Sequence, residues 1–144
     1  MAAERRAEVT WNGDLLSGDG TITSVTSGAF GPLPISWPAR SAQPNGVTSP
    51  EELIASAHAA CYCMALAHGL AGAGTPPTRL EASATVTFVP GTGITRSQLT
   101  VRGAVPGIDE QTFVAAAEQA KTGCPVSSAL AGNVEIALSA RLER

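Results

Sequence analysis

The sequence predicts an α+β protein with its elements in the order β-β-β-α-β-β-α-β. Three observations carry that expectation. Two regions alternate apolar or β-branched residues with small polar ones around tight-turn sequences. An alanine-rich run, "SPEELIASAHAACYCMAL" from Ser49 to Leu66, has helical spacing, and a second capped helical pattern begins at Asp109. A chain of 144 residues can bury a core without disulfide staples, and 44% hydrophobic with only 15% charged residues is the composition of a folded chain. A single domain spanning residues 1–144 is expected, with no internal repeat, low-complexity tract or linker.

Taken in order, "AEVTWNGDLLSGDGTITSVTSG" reads as a hairpin broken at Asn12-Gly13 and Gly18-Asp19-Gly20, followed by a short strand around Leu33 to Trp37. Residues 38 to 48, "PARSAQPNGVT", read as a loop rich in turn formers. Ser49-Pro50-Glu51-Glu52 then supplies a Ser N-cap, Pro at the first helical position and Glu at the third, the pattern of a capping box. The helix it opens is closed by Gly69 to Gly74 and Pro76-Pro77. It is apolar nearly all round, so it must be buried on nearly all sides, by a sheet wrapped around it or by a partner chain. "LEASATVTFVP" and "ITRSQLTVRGAV" form a second hairpin across Pro90 to Gly93. Asp109 caps a helix from about Glu110 to Thr122, "CPVSSALAG" adds one or two turns, and "VEIALSARLE" is a final strand.

Charge and motifs exclude several classes. The net charge is −3 with no basic run, so nucleic acid is not an expected partner. No stretch reaches the roughly 18 to 20 uninterrupted apolar residues of a membrane span, and the opening "MAAERRAEVTWNG" has no apolar run of a secretory signal. An odd count of three cysteines does not suit an extracellular framework, which makes the cytoplasm the expected location. There is no P-loop, dinucleotide fingerprint or HExxH. Cations are scarce: Lys121 is the single lysine, and no Lys or Arg lies between Arg6 and Arg40.

The cysteines are Cys61, Cys63 and Cys124. Cys61 falls about three turns into its helix, beyond the reach of the helix dipole, and burial raises a thiol pKa. It is either inert core or a thiolate held by a cation brought from elsewhere. Cys63 is about 200° further round the helix and cannot pair with Cys61 there, so it reads as filler. Cys124 lies at a break before Pro125, where a thiol can be partly exposed and partly activated. His58 and His68 share the Cys61 face and read as packing or hydrogen-bonding residues. A Cys–His hydrolase would need an orienting Asn or Asp, and a zinc site of His58, Cys61 and Cys124 would need a fourth ligand; neither is supplied at a convincing spacing.

"TSPEELIASAHAACYCMAL", "VPGIDEQTFVAAAEQAKTGCPVSSAL" and the opening "VTWNGDLLSGDGTITSVTSG" together resemble the OsmC proteins, within the larger family shared with the organic hydroperoxide resistance proteins. The resemblance covers about Glu8 to Glu143. It implies antiparallel sheets wrapped around two central helices, an intertwined homodimer, and a thiol peroxidase acting on organic hydroperoxides and less well on hydrogen peroxide. By the same resemblance Cys61 is the peroxidatic cysteine, Cys124 the resolving one, Arg40 in "WPARS" the arginine that stabilises the thiolate, and Glu51 the acid that orients it. An external dithiol or lipoyl-type reductant would reset the enzyme, with no metal or flavin required. Cys63 stands where OsmC members usually have a small residue, and an off-pathway disulfide is the risk it brings. The alternatives to turnover are a redox-sensing or thiol-dependent binding protein, or a small-molecule carrier, on the same scaffold.

Helix geometry adds an expectation of its own. Cys61 and Glu51 are ten residues apart, about 15 Å along one helix, and an arginine side chain reaches only about half that distance. One arginine therefore cannot easily touch both groups of the same chain. Arg40 and Glu51 are expected to meet the Cys61 of a second copy across a dimer interface. An apolar pocket shared with Met64 and Leu53 would favour a bulky organic hydroperoxide.

Overall fold

The computed structural model describes residues 1–144. Its elements are β1 (Ala7–Asn12), β2 (Asp19–Val25), β3 (Leu33–Ile35), α1 (Trp37–Ser41), α2 (Pro50–Gly72), β4 (Arg79–Val89), β5 (Gly93–Ala104), α3 (Glu110–Gly123), α4 (Pro125–Leu130) and β6 (Glu135–Leu142). They form two compact units, Met1–Pro50 and Glu51–Arg144.

The N-terminal unit is an antiparallel sheet in the order β1-β2-β3. Its hairpin loop is held by Asp14, whose Oδ1 accepts from the amide (2.7 Å) and hydroxyl (2.8 Å) of Ser17. Those bonds hold the Asp14 carboxyl below its ordinary range. Ile22 is buried, whereas Val9, Trp11, Leu15, Leu16 and Phe30 remain exposed. The predicted loop at 38 to 48 needs a correction at its start, because Trp37–Ser41 is helical. Ser36 caps this turn by accepting from the Ala39 amide (3.2 Å), and Pro38 sits in the first turn, where its missing N–H costs nothing. The short helix carries Arg40.

In the C-terminal unit, β4 and β5 form a long antiparallel hairpin. The expectation of wholly antiparallel sheets is corrected at β6, which runs parallel to β5 over Arg96–Gly103 and Glu135–Leu142. A parallel neighbour needs a crossover, and α3 with α4 provides it. Asp109 caps α3 as expected, its Oδ1 accepting from the Thr112 amide at 2.8 Å. Glu110, in the first turn, accepts from the Leu142 amide and ties α3 to β6.

Helix α2 starts at Pro50, as its capping sequence predicts, and runs unbroken for 23 residues. It is long and apolar enough to cross a membrane, with a mean hydropathy of 1.4 over 18 residues. Its buried stripe is nonetheless tied into this unit. His58, Tyr62, Leu66 and Leu70 recur every fourth residue and are buried. Tyr62, Leu66 and Leu70 join Leu99, Val101, Val105, Phe113, Ala117, Ala120, Cys124 and Leu142 in one core. The Tyr62 hydroxyl donates to the Ala117 carbonyl at 2.9 Å. Burial on nearly all sides is not what the chain achieves alone: Ala57, Ala60, Met64 and Ala71 form a second stripe that stays exposed, Met64 at 72%.

The core is tightest where β5 passes Phe113. A Cβ built on Gly103 would stand 2.6 Å from Phe113 Cζ. Gly103→Val is expected to destabilise the protein by about 1–3 kcal/mol, as overpacking of a filled core does, measured as a drop in the urea midpoint at unchanged slope.

Candidate active site

Two segments converge on the site. Cys61 lies on α2 next to Tyr62, whose ring and hydroxyl fix the rotation of the helix against α3. Cys124 is the single residue between α3 and α4. It has extended backbone (φ −70°, ψ 122°), with its N–H donating to Ala120 O and its carbonyl accepting from Ser128 N, each at 3.0 Å. Both sides of the residue are thus fixed in the backbone, and the side chain enters the core. Cys124 is 0% exposed, so the sequence-based expectation of partial exposure at this break is corrected. The flanking Gly123 and Pro125 are exposed, but the Cys124 side chain turns inward and belongs to the core cluster.

Both thiols are free, and they lie close enough for each to bear on the other's ionisation. The pair is asymmetric. Burial opposes charge on either sulfur, but Cys124 is held below the ordinary thiol value, because the amide and hydroxyl of Ser127, the amide of Val126 and the Cys61 thiol all favour its anion. Cys61 is pushed up by burial and by the neighbouring Cys124, with the Val126 amide alone opposing this. Of the two thiols, Cys124 is therefore the one whose anion its surroundings favour.

Cys61 opens into an apolar cavity of about 550 Å³ lined by Met64, Ala65, His68, Leu70, Ala116 and Pro125 among others. Met64 lines it as expected, but Leu53, one turn from the helix start, does not. Cys63 borders a different cavity with Ala67, Pro77, Thr78, Arg79 and Leu80, consistent with the 200° between the two cysteines. Its thiol is pushed up by burial.

The structure places Glu51 in the first turn of α2, 6% exposed. Arg40 lines a pocket of about 360 Å³ in the N-terminal unit with Trp11, Leu15, Ile35, Ser36, Trp37 and Pro50. Since α2 is continuous from Pro50 to Gly72, Glu51 and the Cys61–Cys124 pair stand about 15 Å apart along it. The structure brings the two sulfurs together. It does not assemble Glu51 with them.

His58 is the polar centre that its sequence context conceals. It is fully buried, with Nδ1 2.7 Å from Ser97 Oγ and Nε2 2.8 Å from Ser127 Oγ. Helical spacing placed it on the Cys61 face, but its partners lie 39 and 69 residues away in sequence. No group of three or more His, Cys, Asp or Glu side chains is arranged to hold a metal ion.

The fold thus seats two neighbouring free thiols, one on α2 and one at the α3–α4 junction, beside an apolar cavity. The chain belongs to the OsmC family. The model of that family, described as OsmC-like protein, matches residues 43–139. The chain is 40% identical over 139 residues to peroxiredoxin OsmC of Escherichia coli (strain K12), covering 94% of this chain and 96% of that one, and a protein of the same name from Shigella flexneri matches equally. Among solved structures it is similar to the organic hydroperoxide resistance protein OhrB of Bacillus subtilis, with TM-score 0.68 and 25% identity over 94% of this chain and 98% of that one. It shares its fold with an organic hydroperoxide resistance protein of Elizabethkingia anophelis, with TM-score 0.73 and 22% identity over 99% of this chain and 100% of that one.

Burial holds the His58 pKa below its ordinary value of 6.5. The unfolded chain therefore takes up a proton at this position before the folded chain does. The stability that neutral His58 contributes is complete above pH 6.5 and is lost as the pH falls below it. Urea midpoints are expected to decline on acidification through this window in the wild type, and to decline less steeply in His58→Gln.

Proposed function

We infer that this chain is a cysteine-based peroxidase that reduces organic hydroperoxides to alcohols, with Cys61 as the peroxidatic and Cys124 as the resolving cysteine. The proximity of Cys61 and Cys124 at the edge of an apolar cavity carries the proposal. In the first step the Cys61 thiolate attacks the terminal peroxide oxygen. The O–O bond breaks, the alkoxide leaves and takes a proton as alcohol, and Cys61 becomes a sulfenic acid. In the second, Cys124 attacks that sulfur, a disulfide forms and water leaves. An external dithiol or lipoyl-type reductant then restores both thiols by exchange. The apolar lining suits the organic part of a bulky hydroperoxide better than hydrogen peroxide.

The elevated thiol at Cys61 defines what one chain lacks. An isolated chain in which charge rests on Cys124 would suit a redox sensor better than an enzyme. A homodimer removes the difficulty, because Arg40 of a second copy, oriented by a Glu51 carboxylate, would draw the charge onto Cys61. Two observations support it: the exposed apolar stripe Ala57, Ala60, Met64 and Ala71 on α2, and the exposed Val9, Trp11, Leu15, Leu16 and Phe30 of the N-terminal unit. Residues 1–144 would then work as one OsmC-like domain, soluble and cytoplasmic, with no membrane or nucleic-acid partner.

Peroxide consumption with a dithiol donor tests the assignment. Cys61→Ser is expected to abolish turnover, Cys124→Ser to allow one turnover and then overoxidise, and Cys63→Ser to stay near the wild-type rate. Turnover persisting in Cys61→Ser would overturn it. Arg40→Met is expected to slow sulfenic acid formation by about a hundredfold, the scale of losing one charged stabilising group. Sedimentation at micromolar concentration is expected to give a dimer, and a fully active monomer would refute the shared site.

A further inference from the structure

The lining of the Cys61 cavity changes character with distance from the sulfur. Cys61, Ala65 and His68 line it from α2, and Thr112, Ala116 and Gln119 from α3. In each helix these positions share one face, so the cavity is a groove between two helix faces. Between Cys61 and His68 the α2 wall is Met64 and Ala65, both apolar. His68 stands two turns beyond Cys61, about 10 Å along the axis, and Gln119 stands about 7 Å before Cys124 on the same measure. The polar side chains of both walls are therefore set apart from the thiols. Thr75 also lines the groove, but its hydroxyl already donates to the Leu70 carbonyl (3.2 Å). His68 and Gln119 are exposed and held by no side-chain hydrogen bond of the chain. An imidazole N–H and a carboxamide NH₂ are both donors. No carboxylate lines the groove, either to compete for those donors or to repel an anion.

We propose that His68, together with Gln119, is a specificity-determining residue. The groove takes hydroperoxides whose alkyl chain carries a hydrogen-bond acceptor head, a carboxylate or an ester, about 10 Å from the peroxide oxygen that meets Cys61. The alkyl chain lies along Met64, Ala65 and Ala116, which bury it without fixing its direction. The head supplies the direction. Held by the two donors, it settles which end of the substrate faces the sulfur. His68 touches the head and not the reacting atoms, so the chemistry at Cys61 is unaltered. A small hydroperoxide such as tert-butyl hydroperoxide is too short to reach both places and gains nothing from them.

The inference names the substrate class of the site and rests on the peroxidase reading; two measurements separate the failure of one from that of the other. The first uses unbranched alkyl hydroperoxides of one length, ending in a carboxylate, a methyl ester or a methyl group. In the wild type, kcat/KM for a headed probe is expected to exceed that of the methyl-ended probe by about three- to tenfold, the scale of one hydrogen bond. Preference for the carboxylate alone assigns free acids, and equal preference for both heads assigns neutral acceptors; either supports the proposal. Halving the chain should remove the preference, because the head no longer reaches His68. His68→Leu and Gln119→Leu should each reduce it, through KM more than kcat, and by more than any change with tert-butyl hydroperoxide. His68→Gln, which keeps an N–H donor, should recover most of it. The second measurement is calorimetry of the wild-type protein with the matching alcohols, the products of the reaction, which needs no turnover. The headed alcohols should bind about three- to tenfold more tightly than the methyl-ended one, and His68→Leu should level them. Equal kcat/KM for all probes, or a preference that survives in both leucine variants, would overturn the proposal and leave the peroxidase standing. A protein that consumes no hydroperoxide, yet still prefers the headed alcohols, would overturn the enzyme and leave the groove as a binding site. A His68 that resists diethyl pyrocarbonate in the intact protein would show that another copy fills the groove, and would overturn the proposal as well.

Discussion

The structure depends on one constraint: helix α2 must hide a long apolar surface while delivering a sulfur atom to the place where it is useful. Within the chain only the His58–Tyr62–Leu66–Leu70 stripe finds cover, against β5, α3 and α4. Cys61 lies at the margin of that stripe, half-buried, where it meets Cys124 from one side and the cavity from the other. A position one turn along the stripe would bury it in the core; one on the opposite face would part it from Cys124. The location of the thiol and the incomplete burial of the helix are thus the same fact. The exposed apolar stripe lies on the same helix as Cys61, which is the surface the proposed second copy would cover.

The same placement explains the electrostatics. Nothing close to Cys61 in sequence can hold an anion there, and the one feature that does favour a thiolate, the turn entering α4, favours it on Cys124. On the proposed reading, the Arg40 guanidinium of a second copy would decide which sulfur reacts first, and would tie reactivity to oligomer formation without a separate regulatory element.

Much of this was legible in the residues. Pro50 after Ser49 set the start of α2, Asp109 set that of α3, and the period-two runs with their glycine turns gave both hairpins. Local signals sufficed because these elements are defined by local chemistry. Helix α1 was obscured because Pro38 reads as a turn former, while the informative residue was Ser36, placed to cap a first turn that tolerates proline. Strand direction at β6 was obscured because alternation has the same period in parallel and antiparallel pairs; only the length of the α3–α4 crossover carries the direction. The site divided the same way. The "GCPVS" and alanine-rich helix motifs pointed at both cysteines, but neither the depth of Cys124 nor the serine partners of His58 could be read from segments so far apart.

An alanine-rich helix is a smooth rod, with few bulky side chains to lock it at one angle about its own axis. In α2 that indexing falls to polar pegs: the two imidazole bonds of His58 and, one turn on, the Tyr62 hydroxyl on Ala117. A slip of one residue would swing Cys61 by about 100° and break all three at once. The same rotation would also draw Tyr62, Leu66 and Leu70 out of the core. The aim of the sulfur is therefore set by oriented hydrogen bonds together with the buried stripe that carries them, which makes bearing as well as depth a quantity this core holds.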